Sequence, residues 1–391
     1  MRKVIAGMII VFFVFVGGLF AIYPPDYLYN LLFEDEFYYN SRAKIVSGRE
    51  YRIRLWYYPF LRTIPDYAGR EKKYFHRIEE RVQEEYPNIK LEVEEISFLN
   101  GEKKLKERLV AGDPPDIYFN FNGSRYISSE LQVPVDIYFS ERDEEYFHTP
   151  EEQNNHLWGW PFLIYNESWA VSGSMEEEKV TVDFLKNPGP DLKLNYYDRY
   201  LLLQLLSLYG LEKPEMDGEK VEGETLEVMG ELMSDLEKLR EEEKVKSSSG
   251  SGMLKSFFQN NKTAVGPVNP WLKLFIARKT DRGKFLPVDD LKRVYTLNIF
   301  RQENYQGHDH TRAAMETARI ICREFSPEIA EALGLEPGYR ENETGGIRGK
   351  VLPEVHPEQR EAWKEKVTPV WFKFWQEELT AEEAVEQLQE N

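Results

Sequence analysis

The chain has 391 residues, of which 41% are hydrophobic and 14% aromatic, so it can bury a sizeable core as two domains or one bilobed body. This composition excludes a disordered, a collagen-like and a polytopic membrane protein. The 50 basic and 68 acidic residues give a formal net charge of −18, which argues against nucleic acid as a partner. Cys322 is the only cysteine, so an intrachain disulfide, a thiolate zinc site and an iron–sulfur cluster are excluded. We expect no cofactor, no metal and a neutral ligand.

The N-terminus carries an uncharged apolar run over residues 4–22, directly after Arg2 and Lys3. As a helix this run would span roughly 28 Å, close to the thickness of a bilayer core. The basic residues before it predict a cytoplasmic N-terminus, with everything after Tyr23 outside the membrane. Because the run ends in bulky residues rather than in a small-residue cleavage site, we expect an uncleaved signal anchor; a removed signal peptide is the alternative.

The first part of the exported chain alternates between strand and helix patterns. Strands are predicted over 51–56, 89–96 and 116–119, from alternating or short apolar runs. Apolar residues at helical spacing predict helices between them, over 72–85 and 103–110. Strand, helix, strand, helix and strand with short links predict a parallel, doubly wound sheet.

The middle of the chain is predicted to be more helical, and helices are also predicted toward the C-terminus. A run of serine and glycine over 247–252 is either an interdomain linker or a lead into a helix at 253–258. Apolar and amphipathic patterns predict further helices over 196–209, 226–240, 312–325, 370–377 and 381–389.

Four segments carry motifs in a fixed order. Residues 103–119 run from a helix through Gly-Asp-Pro-Pro into an Asp-Ile strand, and residues 254–271 combine a helix, a short turn, a strand and a tryptophan. Residues 313–338 place a helix before a Gly-x-x-Pro segment, and residues 379–384 begin a closing helix. Over 51–389 this order and spacing resemble the extracellular solute-binding proteins of ABC importers, in the carbohydrate-binding branch typified by maltose-binding protein.

The resemblance implies an α/β, two-lobed periplasmic-binding-protein-like fold with a hinge and an N-terminal transmembrane helix. One motif departs from the family, because the crossover motif is compressed into residues 159–166. Either the hinge strand is shortened, or it covers 167–172. The predicted divisions are a membrane helix at 1–23, a stalk at 24–48, lobe one at 49–156 with a return over roughly 285–345, and lobe two at 157–284 completed by roughly 346–391.

A sugar site needs aromatic rings against the C–H faces of the sugar and amides or carboxylates for its hydroxyl groups. Trp271 resembles the stacking tryptophan that the family places after a strand of the second lobe. The predicted ligand-binding residues are Trp56, Asn120, Asn122, Trp160, Tyr165 and Trp271.

The other five candidates are chosen by their place in the predicted sheet. Trp56 follows the first strand, and Asn120 and Asn122 follow the third, where loops at carboxyl ends line the crevice of an α/β fold. Trp160 and Tyr165 lie at the crossover between the lobes. For each of these residues, core packing or turn formation is the competing explanation.

His308, Asp309 and His310 suggest a metal site by residue type. Alternating residues point in opposite directions on a strand, and no further histidine is near in the sequence, so a solvated loop is the better interpretation.

The resemblance implies the substrate-binding component of an ABC transporter. It would capture a sugar or oligosaccharide outside the membrane by hinge closure and deliver it to the permease subunits, as a monomer anchored in the cell membrane with its binding domain on the extracytoplasmic side. A membrane-anchored sensing or scaffold subunit that presents its bound form to a sensor partner is the alternative. No catalytic motif is recognisable, so we expect no enzyme, although the many carboxylates leave a glycosidase pair open.

Overall fold

The computed structural model describes residue 18 and residues 40–390, apart from short gaps. Among these residues, no helix is long and apolar enough to cross a membrane. The predicted membrane helix at 1–23, except residue 18, and the first part of the predicted stalk lie outside the described residues. The gaps are at 65–67, 98–99, 121–130, 148–156, 173–176, 218–219, 222, 249, 260–262, 281–282, 302–305, 341–351, 353–354 and 356–358.

The main sheet has the strand order β2-β1-β3-β11-β5-β10-β6-β9, with β4 and β12 paired to its central strands. Strands β7 and β8 form a separate small hairpin. The strands of the main sheet and of this hairpin are β1 (Tyr51–Tyr57), β2 (Ile89–Glu95), β3 (Ile117–Asn120), β4 (Gln132–Val133), β5 (Trp160–Ser172), β6 (Asp191–Leu194), β7 (Met216–Asp217), β8 (Lys220–Val221), β9 (Val245–Ser247), β10 (Thr263–Val268), β11 (Gly283–Phe300) and β12 (Glu336–Pro337).

Helices cover both faces of this sheet. A π-helical segment, Ile321–Phe325, joins α9 to α10. The helices are α1 (Glu71–Glu85), α2 (Gly101–Val110), α3 (Glu141–Tyr146), α4 (Val182–Lys186), α5 (Arg199–Leu208), α6 (Gly223–Glu241), α7 (Gly250–Gln259), α8 (Pro270–Lys279), α9 (His308–Ile320), α10 (Ser326–Leu333), α11 (Arg360–Trp375) and α12 (Ala381–Glu390).

The first five elements confirm the predicted alternation. In α1, Tyr74, Ile78 and Val82 are buried at four-residue spacing, so one face of the helix packs on the sheet. Strand β1 pairs in parallel with β2 on one side and β3 on the other. The α/β fold predicted from the sequence is therefore confirmed, although β5 and β11 add antiparallel pairs to its centre.

Two large hydrophobic cores lie at the two ends of the sheet. The lobe-one core contains β1, β3 and α9, together with Tyr165 of β5 and Tyr295 of β11. The lobe-two core contains α5, α6 and α11, together with Trp169 of β5 and Leu291 of β11. The strands β5 and β11 thus pass from one core to the other. We call the parts of the molecule around these two cores lobe one and lobe two, and they meet where β5 and β11 pass between the cores.

The histidine pair lies in a helix rather than in the solvated loop that we expected, so that prediction was wrong. Helix α9 begins at His308, and His310 is buried, with its Nε2 3.0 Å from Asp116 Oδ1. The partner Asp116 comes from a distant part of the chain, so the sequence around His310 carries no sign of it. The serine and glycine run leads from β9 into α7, as the second of the two alternatives stated.

Candidate functional site

The pairing between β5 and β11, the two strands that pass between the lobes, is interrupted at Glu167. Pro287 of β11 pairs with Ser168 of β5, and the next pair joins Lys292 to Asn166, so residues 288–291 form a wide bulge opposite Glu167. Within this bulge Asp289 and Asp290 adopt left-handed backbone conformations, with φ of 30° and 59°. A bulge disrupts the ladder and bends a strand. We call this point, where both strands pass from one core to the other, the hinge region.

A buried polar cluster fills the hinge. Arg293 Nε lies 2.5 Å from Glu167 Oε1, and Gln204 Nε2 donates to Glu167 Oε2 at 2.5 Å. The indole of Trp169 donates to Gln204 Oε1 at 3.0 Å. The Arg293 guanidinium lies 3.4 Å above the ring of Tyr200, a cation–π contact. Both crossing strands and α5 are thereby linked through one set of side chains.

Burial of the charged groups in this cluster costs free energy by itself. Burial raises the pKa of the Glu167 carboxyl, and the positive charge of Arg293 partly offsets that effect. A buried carboxylate of this kind is tolerated only while its partner is in place. The Glu167–Arg293 pair therefore fixes how β5 and β11 sit relative to each other at the hinge.

A second set of contacts lies on the opposite face of β5 and β11, next to the bulge. The carboxylate of Glu336 on β12 accepts a hydrogen bond from Asn166 at 2.9 Å and lies 3.0 Å from Lys292 Nζ. Arg340 adds a third contact at 3.1 Å. The backbone N–H of Leu352 donates to the Lys292 carbonyl at 2.7 Å, so a residue that belongs to the lobe-two core contacts the same point.

The two lobes also meet through aromatic side chains. Trp271 in the first turn of α8 lies with its ring centroid 5.9 Å from that of Phe60, which follows β1 in the other lobe. Phe60 contacts Phe119 at 5.0 Å, and Phe119 contacts Phe162 at 4.8 Å. This aromatic chain begins at the interlobe boundary and continues into the lobe-one core.

Local sequence positions Trp271. Asn269 caps α8, because its side-chain oxygen accepts the Leu272 N–H at 2.8 Å, and Pro270 occupies the first helical position. The helix therefore starts directly at the carboxyl end of β10. Trp271 is half-buried and faces the other lobe from that edge.

Three of the predicted site residues lie near the interlobe boundary. Besides Trp271, the hydroxyl group of Tyr165 donates to the Val268 carbonyl and lies 2.8 Å from Ser168 Oγ. Asn120 ends β3, beside Phe119, and is buried. Asn122 lies outside the described residues.

Trp56 and Trp160 are packed inside lobe one. Trp56 is 2% exposed, with Lys104 Nζ 4.5 Å from its ring centroid. Trp160 is 1% exposed and lies between Phe139 and Phe147, at 4.8 Å and 5.0 Å. Trp56 lies within β1 rather than after it, and Trp160 begins β5. Both indoles are enclosed by lobe one, so in this structure neither presents a face to the cleft.

The sequence reasoning missed a second aromatic group at the cleft edge. Tyr196 and Tyr197 follow β6, which pairs in parallel with β10, so they share a sheet edge with Trp271. Their ring centroids are 4.1 Å apart, and Tyr197 is 58% exposed. Two adjacent tyrosines after a strand would have indicated aromatic side chains at this sheet edge. The strand before them has only four residues and was not predicted from the sequence.

Comparisons with known proteins identify the class of fold. No protein-family model matches the chain. A stretch of 108 residues is 27% identical to an uncharacterised ABC transporter extracellular-binding protein of Pyrococcus horikoshii, and it spans 25% of this chain and 24% of that protein.

Similarity to solved structures extends over most of the chain. Maltodextrin-binding protein MalE1 from L. casei gives a TM-score of 0.62 at 13% identity, covering 87% of this chain and 97% of that one. The GacH receptor of Streptomyces glaucescens, solved unliganded and with acarbose, gives 0.61 at 13% identity (87% and 96%). The MalE domain of Bdellovibrio bacteriovorus, bound to maltotriose, gives 0.60 at 14% identity (86% and 97%). The chain therefore has the fold of these oligosaccharide-binding proteins, and the resemblance seen in the sequence is confirmed at that level.

Proposed function

We propose that this protein is the substrate-binding component of an ABC transporter, which captures a neutral sugar or oligosaccharide between its lobes and delivers it to permease subunits. The observation that carries the proposal is the meeting of Trp271 and Phe60 across two lobes joined by crossing strands. Rotation at the hinge would separate these rings and let a flat sugar face enter between them.

The chemistry of the cleft edge supports a neutral, hydroxyl-rich ligand. Trp271 and Tyr197 supply accessible aromatic faces at one edge of the sheet, and ring stacking on C–H faces suits a sugar. Capture at micromolar concentration needs only about −8 kcal/mol, which a few such contacts can provide. The net charge of −18 disfavours an anionic ligand.

We further propose that the protein acts as a monomer, is not an enzyme, and is held at the cell membrane by residues 1–23, with both lobes on the extracytoplasmic side. The uncharged apolar run after Arg2 and Lys3 supports this arrangement. Resistance to carbonate extraction would support the anchor, and release into the supernatant would contradict it.

Tryptophan fluorescence offers a direct test of sugar binding. All eight tryptophans lie in the described part of the chain, and only Trp271 is not buried. The full chain would be placed in phospholipid nanodiscs, because glycosidic detergents would compete for the site. It would then be titrated with a panel of neutral oligosaccharides. A saturable change with one glycan class is expected.

The Trp271→Phe variant is the matched control. It should lose most of the fluorescence change, because it lacks the one indole at the cleft edge, yet still bind the same glycan by calorimetry. The absence of any binding by folded wild-type protein across the panel would contradict the proposal.

A further inference from the structure

Lobe two carries two neighbouring phenylalanines that project into solvent. Phe258 of α7 is 43% exposed and Phe275 of α8 is 45% exposed, and their ring centroids are 6.4 Å apart. The residues beside them, Phe257 and Ile276, are buried against the sheet. The two helices therefore pack through their inner faces and leave a paired aromatic surface outside.

Two lysines lie beside these rings. Lys279 Nζ lies 6.0 Å from the ring centroid of Phe275. Lys255 is exposed on α7, three residues before Phe258, and neither helix contains an acidic residue. Among the described residues, no carboxylate forms an ion pair with Lys255 or Lys279. We call Phe258, Phe275, Lys255 and Lys279 the aromatic–basic patch.

The charge around the patch is opposite to that of the chain as a whole. Residues 250–286 contain seven basic residues and one acidic residue, a net charge of +6, so the remaining chain carries −24 of the total of −18. In a strongly acidic protein, a basic, aromatic surface of this kind favours an approach that turns it toward an anionic partner.

We propose that the aromatic–basic patch docks on the anionic headgroup surface of the membrane. Aromatic rings are favoured at the depth of the headgroups, and lysines beside them are attracted by anionic headgroups in the leaflet that they face. Lysines next to exposed rings fit a lipid surface, which offers many negative charges and an apolar layer beneath them. An acidic protein partner would offer the charge without that layer.

The docking proposal rests on the membrane anchor of the proposed function. Residues 24–39 separate the predicted membrane helix from the first residue of the described lobes, and such a segment can span at most about 55 Å. A tether of that length keeps residue 40 within about 55 Å of the bilayer.

The tether and the patch belong to different lobes. The segment that follows the tether is held on lobe one, where Arg49 forms an ion pair with Asp309 at 2.8 Å and Tyr51 donates to the same carboxylate at 2.7 Å. Lobe two carries the patch on α7 and α8, and Trp271 lies in the first turn of α8 at the interlobe boundary. Docking would therefore hold both lobes at the membrane, at separate points on either side of the hinge.

Lipid quenching of a single fluorescent label tests this proposal. Cys322 is buried, so a new surface cysteine can be labelled selectively. The label would be placed at Gln259, beside the patch, in full-length protein reconstituted in nanodiscs that carry a headgroup quencher. Val110, which is 91% exposed on lobe one, provides the reference position. Discs of phosphatidylcholine would be compared with discs that also contain phosphatidylglycerol.

We expect quenching at position 259 to be at least about twofold stronger with anionic lipid and to fall at 1 M salt, where the screening length shrinks to about 3 Å. Lys255→Glu combined with Lys279→Glu should remove the increase. Lys213→Glu combined with Lys238→Glu makes the same change of net charge elsewhere on lobe two and should retain it.

Equal quenching in both lipids, or an equal loss in the control variant, would overturn the docking proposal. So would patch variants that lower transport while position 259 stays unquenched, since that result would assign the patch to a protein partner. Failure of the anchor is distinguishable, because the chain would then not co-elute with discs of phosphatidylcholine alone. The patch would then be tested by sedimentation of the same labelled chain with phosphatidylglycerol vesicles, where absence of binding would overturn it.

Discussion

Glu167 on β5 and Arg293 on β11 form a buried ion pair, with 2.5 Å between Oε1 and Nε, at the point where both strands pass from one lobe to the other. The bulge opposite Glu167 interrupts the ladder between these strands, and the ion pair joins them next to the interruption.

Removal of one partner of this pair should be strongly destabilising. Arg293→Met leaves the Glu167 carboxylate buried without its counter-charge, which should cost about 3–5 kcal/mol in the free energy of unfolding. The double variant Glu167→Gln with Arg293→Met should recover a large part of that loss. Urea unfolding of both variants measures the difference, and equal stabilities would show that the charges are not coupled.

Trp271→Ala should weaken oligosaccharide binding by about tenfold or more, because it removes a stacking surface at the cleft edge. Calorimetry is the appropriate measurement, since the variant also lacks its fluorescent reporter. Phe275→Ala lies on the same helix but faces solvent, so it should bind like the wild type. Unchanged affinity in a folded Trp271→Ala protein would remove Trp271 from the site.

Gly266 is a position where only glycine fits. A Cβ atom there would lie 2.3 Å from the Trp169 ring, and Trp169 in turn hydrogen-bonds Gln204 in the hinge cluster. Gly266→Ala should therefore lower the free energy of unfolding by about 1–3 kcal/mol. Thermal unfolding measures this loss. Gly48→Ala, which has open space around it, is the control and should be near neutral.

The contacts of Glu336 predict a loss of stability in acid. Burial alone would raise the pKa of this carboxyl, but the hydrogen bond from Asn166 and the contacts with Lys292 and Arg340 outweigh it and hold the pKa below its ordinary value of 4.5. Its contribution to stability is therefore present above that ordinary value and is lost as the pH falls through the lower folded-state pKa.

Unfolding measured between neutral pH and pH 3 tests this effect. Glu336→Gln should be less stable than the wild type at neutral pH and should lose less stability on acidification. A variant with the same pH slope as the wild type would show that Glu336 is not the group responsible.

Part of this architecture follows from local sequence. The elements from Tyr51 to Asn120 were predicted closely, because each buries one face and exposes the other, which leaves a clear periodicity. The position of Trp271 also has a local cause, the Asn-Pro start of α8 after a buried strand. Composition and charge alone favoured a neutral ligand.

The hinge and the burial of the other candidates were decided by the tertiary structure. Nearly every residue of β5 is buried and β11 is buried along its C-terminal half, so they lack the two-residue alternation that marks a half-exposed strand. Glu167 and Arg293 are far apart in the chain, and Trp160 is enclosed by Phe139 and Phe147 from another segment. Periodicity reports the environment of one segment, whereas ion pairs and core packing depend on which distant segments the fold brings together.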